Sequence, residues 1–334
     1  MNPAIQALWT VAVGVGGCVL YFWLSNIVLD KVFFPASGPN AGRNITRANM
    51  VRPWLFLAPA LILLGLYLAY PVFATFWLSL NKDVNGDQQF VGLANYAQMM
   101  SEAKFWESMR NNMLWLVVVP AGATAFGLLA AQLTDRLKWG SFAKSLIFMP
   151  MAISFVGASV IWKLIYDARP AGQEQIGILN ALYLWFGGDA PQQWLQIPFW
   201  NNFFLMAVLI WIQAGFAMVI LSAALRGIPE ETVEAAILDG AGPFQIFFKI
   251  KVPQIMGTIV VVWTTITITV LKVFDIVLAM TNGQWETQVL ANFMYDKFFR
   301  SFDVGVGSAV AMVIMLLVTP ILVWNVYNVR KEMR

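Results

Sequence analysis

The sequence predicts an all-α polytopic membrane protein with seven transmembrane helices, the N-terminus outside and the C-terminus inside. Three observations carry that prediction. Hydrophobic residues make up 59% of the 334 and charged residues only 12%, far from the balance of a soluble domain. Apolar stretches long enough to cross a bilayer recur along the chain, separated by polar loops. The basic residues gather in alternate loops.

Taken in order, the first span is Ala4 to Leu24. A cleaved signal peptide fits it poorly, because no Lys or Arg precedes Lys31 and no small-x-small cleavage site follows. Ser25 to Pro53 reads as a polar connector with a turn-rich SGPNAG stretch. Trp54 to Leu80 is the second span, interrupted by Pro59 and Pro71, and Asn81 to Asn111 is a polar loop. Asn112 to Leu133 is the third span, Asp135 to Ala143 a short basic loop, and Lys144 to Tyr166 the fourth span, with Pro150 inside it. A longer loop runs from Asp167 to Pro198, with Ile176 to Phe186 expected along the membrane surface. Trp200 to Leu225, Gly257 to Met280 and Val304 to Tyr327 complete the seven. The division expected is 1–52 for the N-terminal helix with its connector and 53–334 for the transport domain. Trp54, Trp115, Trp162, Tyr166, Trp200, Trp324 and Tyr327 fall near span ends and read as interfacial anchors.

Orientation follows from counting Lys and Arg. One set of loops carries Lys31, Arg43, Arg47, Arg52, Arg136, Lys138, Lys144, Arg226, Lys249, Lys251, Arg330, Lys331 and Arg334. The alternate set carries only Lys82, Lys104, Arg110, Arg169, Lys297 and Arg300. The first set is therefore expected in the cytoplasm.

The longest polar island between late spans is 226–253. It reads as helix, turn, helix. Pro229 suits a first helical position, and Glu230 and Glu231 follow where the helix dipole favours negative charge. Val233, Ala236, Ile237 and Gly240 share one helical face. Gly240 suits a left-handed stop and Pro243 the next start. Ala235 and Ala236 are small enough for another protein's backbone to come close.

The anchors Glu234-Ala235-Ala236, Gly240, Ile250 and Val252-Pro253 resemble the EAA loop of ABC importer permeases. The family usually has Leu where this chain has Val252. FMPMAISFVGASVIWKLIYD, GILNAL and FDIVLAMTNG are likewise similar to binding-protein-dependent sugar permeases of the maltose-type branch. The extra first span and the SNIVLDKVFFPASGPNAG connector look most like the F-type permease of alpha-glucoside importers. The resemblance implies a bacterial inner-membrane importer subunit. Its implied partners are a second permease, a cytoplasmic ABC ATPase dimer that grips the loop, a periplasmic sugar-binding protein and the bilayer. No nucleic-acid partner is implied. It further implies that Glu234 makes a charge contact with the ATPase, Gly240 lets the loop turn, and Pro253 stops the second helix at the membrane.

Lys163, Lys272 and Asp275 are charges inside expected spans, each costing roughly 2.5–3.5 kcal/mol near a helix centre on insertion scales. Lys163 is close enough to its span end to snorkel. Lys272 and Asp275 are three apart, so on a continuous helix they share a face and pair. Two readings stay open: a structural pair, or a charge facing the translocation path. Thr264, Thr265, Thr267 and Thr269 can satisfy themselves on carbonyls of the preceding turn. By residue type, Asn201, Asn202, Trp211 and Gln213 join Lys272 and Asp275 as candidates for contact with a neutral polyol.

The chain has no His, a single Cys, Cys18, and no G-x-x-x-x-G-K-[ST] phosphate loop. No metal site, disulfide framework or cofactor is therefore expected here, and no catalysis. ATP and Mg are expected on the partner ATPase. The rival reading is an ion- or proton-coupled secondary transporter using Lys272 and Asp275 as a relay. It would call for inverted repeats, and no convincing one is visible.

Overall fold

The computed structural model describes residues 3–35, 37–84, 86–135 and 137–332. Arg136 and Arg334, both in the cytoplasmic tally, lie outside the described residues. The chain divides into two compact units, Met1–Ala74 and Thr75–Arg334.

In the first unit lie α1 (Pro3–Phe33) and most of α2 (Ala41–Ser79), whose residues from Thr75 on belong to the second unit. The stretch 41–53, expected as connector, is therefore already helical. Pro71 has no N–H to give the preceding turn, and the helix widens to a π turn over Gly65–Ala69 just before it. Two polar contacts pin α1 antiparallel to α2. Tyr21 Oη donates to Leu55 O at 2.8 Å, and Arg52 Nη2 donates to both Asp30 carboxylate oxygens at 2.6 and 2.8 Å.

The second unit opens on an unexpected hairpin. β1 (Asn81–Val84) pairs antiparallel with β2 (Asp87–Phe90), Asn81 opposite Phe90. The turn holds Gly86 at φ 91°, a left-handed conformation that glycine takes without strain. α3 (Ala94–Ser101) follows, then α4 (Ala103–Thr134). α5 (Gly140–Ala152) and α6 (Phe155–Ile165) form a pair bent by 106°. The bend falls beyond Pro150, where Ser154 Oγ accepts from Gly157 N and starts the new helix. α7 (Ile178–Trp185) lies in the long loop. α8 (Trp200–Arg226) is the central span, followed by α9 (Glu230–Leu238). α10 (Pro243–Gln254) and α11 (Met256–Leu271) form a second pair, bent by 71°. Short helices α12 (Asp275–Met280) and α13 (Leu290–Tyr295) precede α14 (Val304–Glu332).

Among the described residues, five helices are long and apolar enough to cross a membrane, or up to seven if each bent pair is one span. Small residues set the core. α4 and α8 make the most extensive helix pair. A Cβ on Gly122 would stand 2.8 Å from Ile210 Cδ1, Gly127 faces Ala217, and a Cβ on Gly215 would stand 2.6 Å from Ile147 O. Such contacts let backbones approach where lipid gives apolar side chains no reason to cluster.

Three expectations need correction. The sixth span does not continue to Met280: it stops at Leu271, and the chain turns through Lys272 to Phe274 before α12. Trp115 and Tyr166 are not interfacial anchors but buried in the main core. α4 begins nine residues before Asn112, so Trp115 sits well inside a packed helix. The loop 81–111 is a hairpin and two helical segments rather than irregular chain.

Candidate functional site

The loop between α8 and α10 is built by local signals. Pro229 caps α9 at φ −57° and ψ 134°, one residue before the first helical position expected for it. Glu230 and Glu231 then occupy the first turn, where they complement the helix dipole. Gly240 ends the helix at φ 80°. Gly240 N donates to Ile237 O at 3.0 Å and Ala241 N to Ala236 O at 2.9 Å, the paired bonds of a glycine C-terminal cap. Pro243 opens α10, where Gly242 N donates to Gln245 Oε1 at 3.2 Å. The bend to α11 falls at Ile255, two residues after Pro253.

The expected shared face divides once folded. Ala236 is buried against its own chain, so of the two alanines only exposed Ala235 is open to another protein. Glu230, Glu231, Glu234 and Pro253 are exposed. The tip is apolar: Leu238 is 88% and Phe244 81% exposed. Arg226, Glu230, Val233, Glu234 and Lys251 line a groove of about 520 Å³ at the root of the loop.

At the root of this loop sits Asp135, just past the end of α4. Lys144 of α5 donates to its Oδ1. Arg226, the last residue of α8, donates from Nε at 3.0 Å and from Nη2 at 2.8 Å. Ser222 Oγ donates at 3.0 Å and itself accepts from Lys144 Nζ at 2.5 Å. Burial pushes the Asp135 carboxyl up, but the bonds from Lys144, Arg226 and Ser222 outweigh it and hold it below the usual value. One carboxylate thus gathers the ends of three helices beside the start of the loop. The sequence shows only a basic loop here, because partners 87 and 91 residues away leave no local signal.

At the opposite end of α8 the chain carries strain. Asn282, Trp285 and Glu286 hold φ of 54°, 54° and 62°, next to Gly283 at 70°. Each left-handed non-glycine residue costs on the order of 1–2 kcal/mol, and buried amides hold the loop in place. Asn111 Nδ2 donates to Glu286 O and Gln288 O, both at 2.8 Å. Asn112 Oδ1 accepts from Leu290 N at 2.8 Å. Asn201 Nδ2 donates to Trp285 O at 2.5 Å and Asn202 Nδ2 to Glu286 O at 3.2 Å. Gly283 has no room for a side chain, since a Cβ would collide with the Gln288 amide and stand 2.8 Å from Asn292 Nδ2. Gly283→Ala is accordingly expected to destabilise the detergent-solubilised protein by about 3 kcal/mol, summing backbone strain and overpacking. Thermal unfolding against the wild type measures it.

Residues 123–333 match the family described as binding-protein-dependent transport system inner membrane component. The chain belongs to this family. It is 63% identical over 336 residues to the alpha-glucoside transport system permease protein AglF of Rhizobium meliloti (strain 1021), covering 99% of each chain. It is 46% identical to the osmoprotective compounds uptake permease protein GgtC of Synechocystis sp. (strain ATCC 27184 / PCC 6803 / Kazusa), over 83% of this chain and 99% of that one. Its fold matches a chain in the crystal structure of a bacterial ABC transporter involved in the import of the acidic polysaccharide alginate. The TM-score is 0.71 at 19% identity, over 86% of this chain and 98% of that one.

Family membership makes the protein an inner-membrane translocation subunit rather than an enzyme. Within this permease the expected path residues separate. Asn201 and Asn202 are 0% and 1% exposed, and their amide nitrogens are spent on the strained loop. Trp211 is half-buried, its ring 5.7 Å from that of Trp162. Gln213 is 9% exposed and, among the described residues, makes no side-chain hydrogen bond. Lys272 and Asp275 do not share a helical face, because the break at Lys272 to Phe274 falls between them. No ion pair joins them among the described residues. Phe274 instead packs its ring 5.2 Å from that of Tyr295, across the break. Thr264, Thr265, Thr267 and Thr269 donate to carbonyls of the preceding turn, as expected. Lys163 is exposed and reaches Ala279 O at 3.4 Å.

Proposed function

We propose that this chain is the permease subunit of an ATP-driven importer that carries an alpha-glucoside such as maltose, trehalose or sucrose by alternating access. The cargo class is supported by the 63% identity to an alpha-glucoside transport permease along the full chain. The coupling assignment rests on the exposed loop 226–253. Its acidic first turn and apolar tip offer charge and buried area to a partner, and the groove at its root, lined by Glu230 and Glu234, gives that partner a shaped seat.

In this reading a second permease completes the path, a cytoplasmic ATPase dimer holds ATP and Mg, and a periplasmic protein delivers the sugar. The excess of Lys and Arg in the loops at the 226–253 end argues that this end is cytoplasmic. The strained loop around Trp285 then faces outward. Glu234 contacts the ATPase by charge, while Leu238 and Phe244 bury on docking. Only three residues separate the start of α9 from Arg226, which Asp135 holds, so motion of the docked loop passes to α4, α5 and α8.

The test is reconstitution of the assembled transporter in proteoliposomes with its binding protein. Uptake of one of the three sugars is expected to need ATP and to survive a protonophore. Uptake without ATP that the protonophore abolishes would overturn the proposal.

A further inference from the structure

A second cavity lies at the C-terminal end of α6, away from the coupling loop; of the candidate path residues, Asn201 reaches its wall, Nδ2 to Leu195 O at 3.4 Å. It holds about 240 Å³ and is lined by Lys163, Tyr166, Asp167, Gln193, Trp194 and Gln196, among others. Its two walls are the end of α6 and the 3-10 turn Trp194–Gln196. Buried Asn180 ties them together. Its Nδ2 donates to Asp167 O at 2.9 Å and to Gln192 O at 3.0 Å, while its Oδ1 accepts from Gln192 N at 2.8 Å. The aromatic lining is fixed as well. Tyr166 Oη donates to Phe204 O at 3.0 Å, and the Trp194 ring sits edge-on to Tyr183 at 5.5 Å and Phe204 at 5.4 Å.

The walls are tied down while the polar ends facing the cavity are left over. Among the described residues, the Asp167 carboxylate and the Gln193 and Gln196 side-chain amides have no protein partner. Lys163 has only its long contact to Ala279 O. One cation and one anion cancel, so the lining does not select a charged ligand. Amides and a carboxylate supply both donors and acceptors, and aromatic rings supply an apolar surface with a polar rim. That combination matches a pyranose, which has hydroxyls at its edge and C–H groups on its faces. The volume is below the roughly 300 Å³ at which drug-sized pockets begin, which suits a single ring.

We propose that this cavity is an outer subsite for one sugar ring of the cargo, separate from the path between the spans. It rests on the orientation and cargo class argued above. The test uses the assembled transporter in vesicles, with Cys18, the sole cysteine, replaced by Ser and Ala168→Cys introduced in the cavity wall, where no polar contact is assigned. A membrane-impermeant maleimide is expected to label the new thiol from outside. Near-saturating maltose, trehalose or sucrose, whichever the vesicles take up, is expected to slow labelling roughly tenfold, while mannitol does not. Adding Asp167→Asn is expected to remove most of that protection, since a hydrogen bond to a charged group is worth about tenfold or more in affinity. Unprotected labelling despite uptake overturns the subsite alone. Uptake of none of the three sugars overturns the cargo class, and labelling only from inside overturns the orientation, each taking the subsite with it. Protection by sugar-free binding protein overturns it in favour of a protein-docking surface.

Discussion

Asp135→Asn is expected to lower uptake per ATP hydrolysed at least tenfold in the assembled transporter and to weaken the fold by about 2–3 kcal/mol. Asn keeps the volume and loses the charge. Lys144, 15% exposed, is left without its anion, and Ser222 loses its strongest acceptor. Breaking a fully buried pair costs about 3–5 kcal/mol; this site keeps some water contact, which lowers the figure. The Arg226 arm adds little to stability, because its side chain is 65% exposed. Its contribution is to direction: Arg226 is the last residue of α8, and α9 starts at Glu230. Asp135→Glu separates the two effects, since it retains charge and should restore stability more fully than coupling. The pH dependence adds a further check. The folded carboxyl lies below its ordinary value of 3.8, so its stabilisation is present above that value. It is lost as pH falls through the lowered folded value. Wild-type stability from this group is therefore flat near neutrality, and the Asn variant lacks the acid-side loss. Equal stability of Asn and wild type across that range would remove Asp135 from the account.

What the sequence could reveal depended on how local each signal is. Spans were readable because apolar length and loop charge are local properties, and the coupling loop because proline, acidic first turn and glycine stop act within a few residues. The hairpin was also there to be read, since Asn85-Gly86 suits a tight two-strand turn, but a polar loop was the simpler reading. The break after Leu271 was not readable. Nothing in LKVFD forbids a helix; the turn is a tertiary outcome, in which Val273 is buried and Phe274 meets Tyr295. Residue type alone makes Asn201 and Asn202 candidates for sugar contact. The structure gives them buried backbone acceptors more than 80 residues away. An amide within an apolar span signals that a partner exists, not which partner it is.

Gly240→Pro is expected to abolish uptake while the permease still inserts and assembles with its partners. The backbone there has φ 80°, which proline's ring excludes by holding φ near −65°. The substitution also deletes the bond from Gly240 N to Ile237 O. Together these remove the cap that turns the chain from α9 to α10, at a cost of about 3 kcal/mol or more. The damage is local, because nothing else lies within 4 Å of where a Cβ at this position would sit. The contrast with Gly283 follows from the same geometry: Gly283 is both left-handed and enclosed, so its replacement is felt in the surrounding core. Gly240→Ala supplies the control, with about 1–2 kcal/mol of backbone strain and no clash, so most coupling should survive. Uptake and ATP hydrolysis measured on the same proteoliposomes decide between outcomes. Proline at 240 with wild-type uptake per ATP would mean that the turn between α9 and α10 carries no force, and that α9 alone transmits the motion of the ATPase.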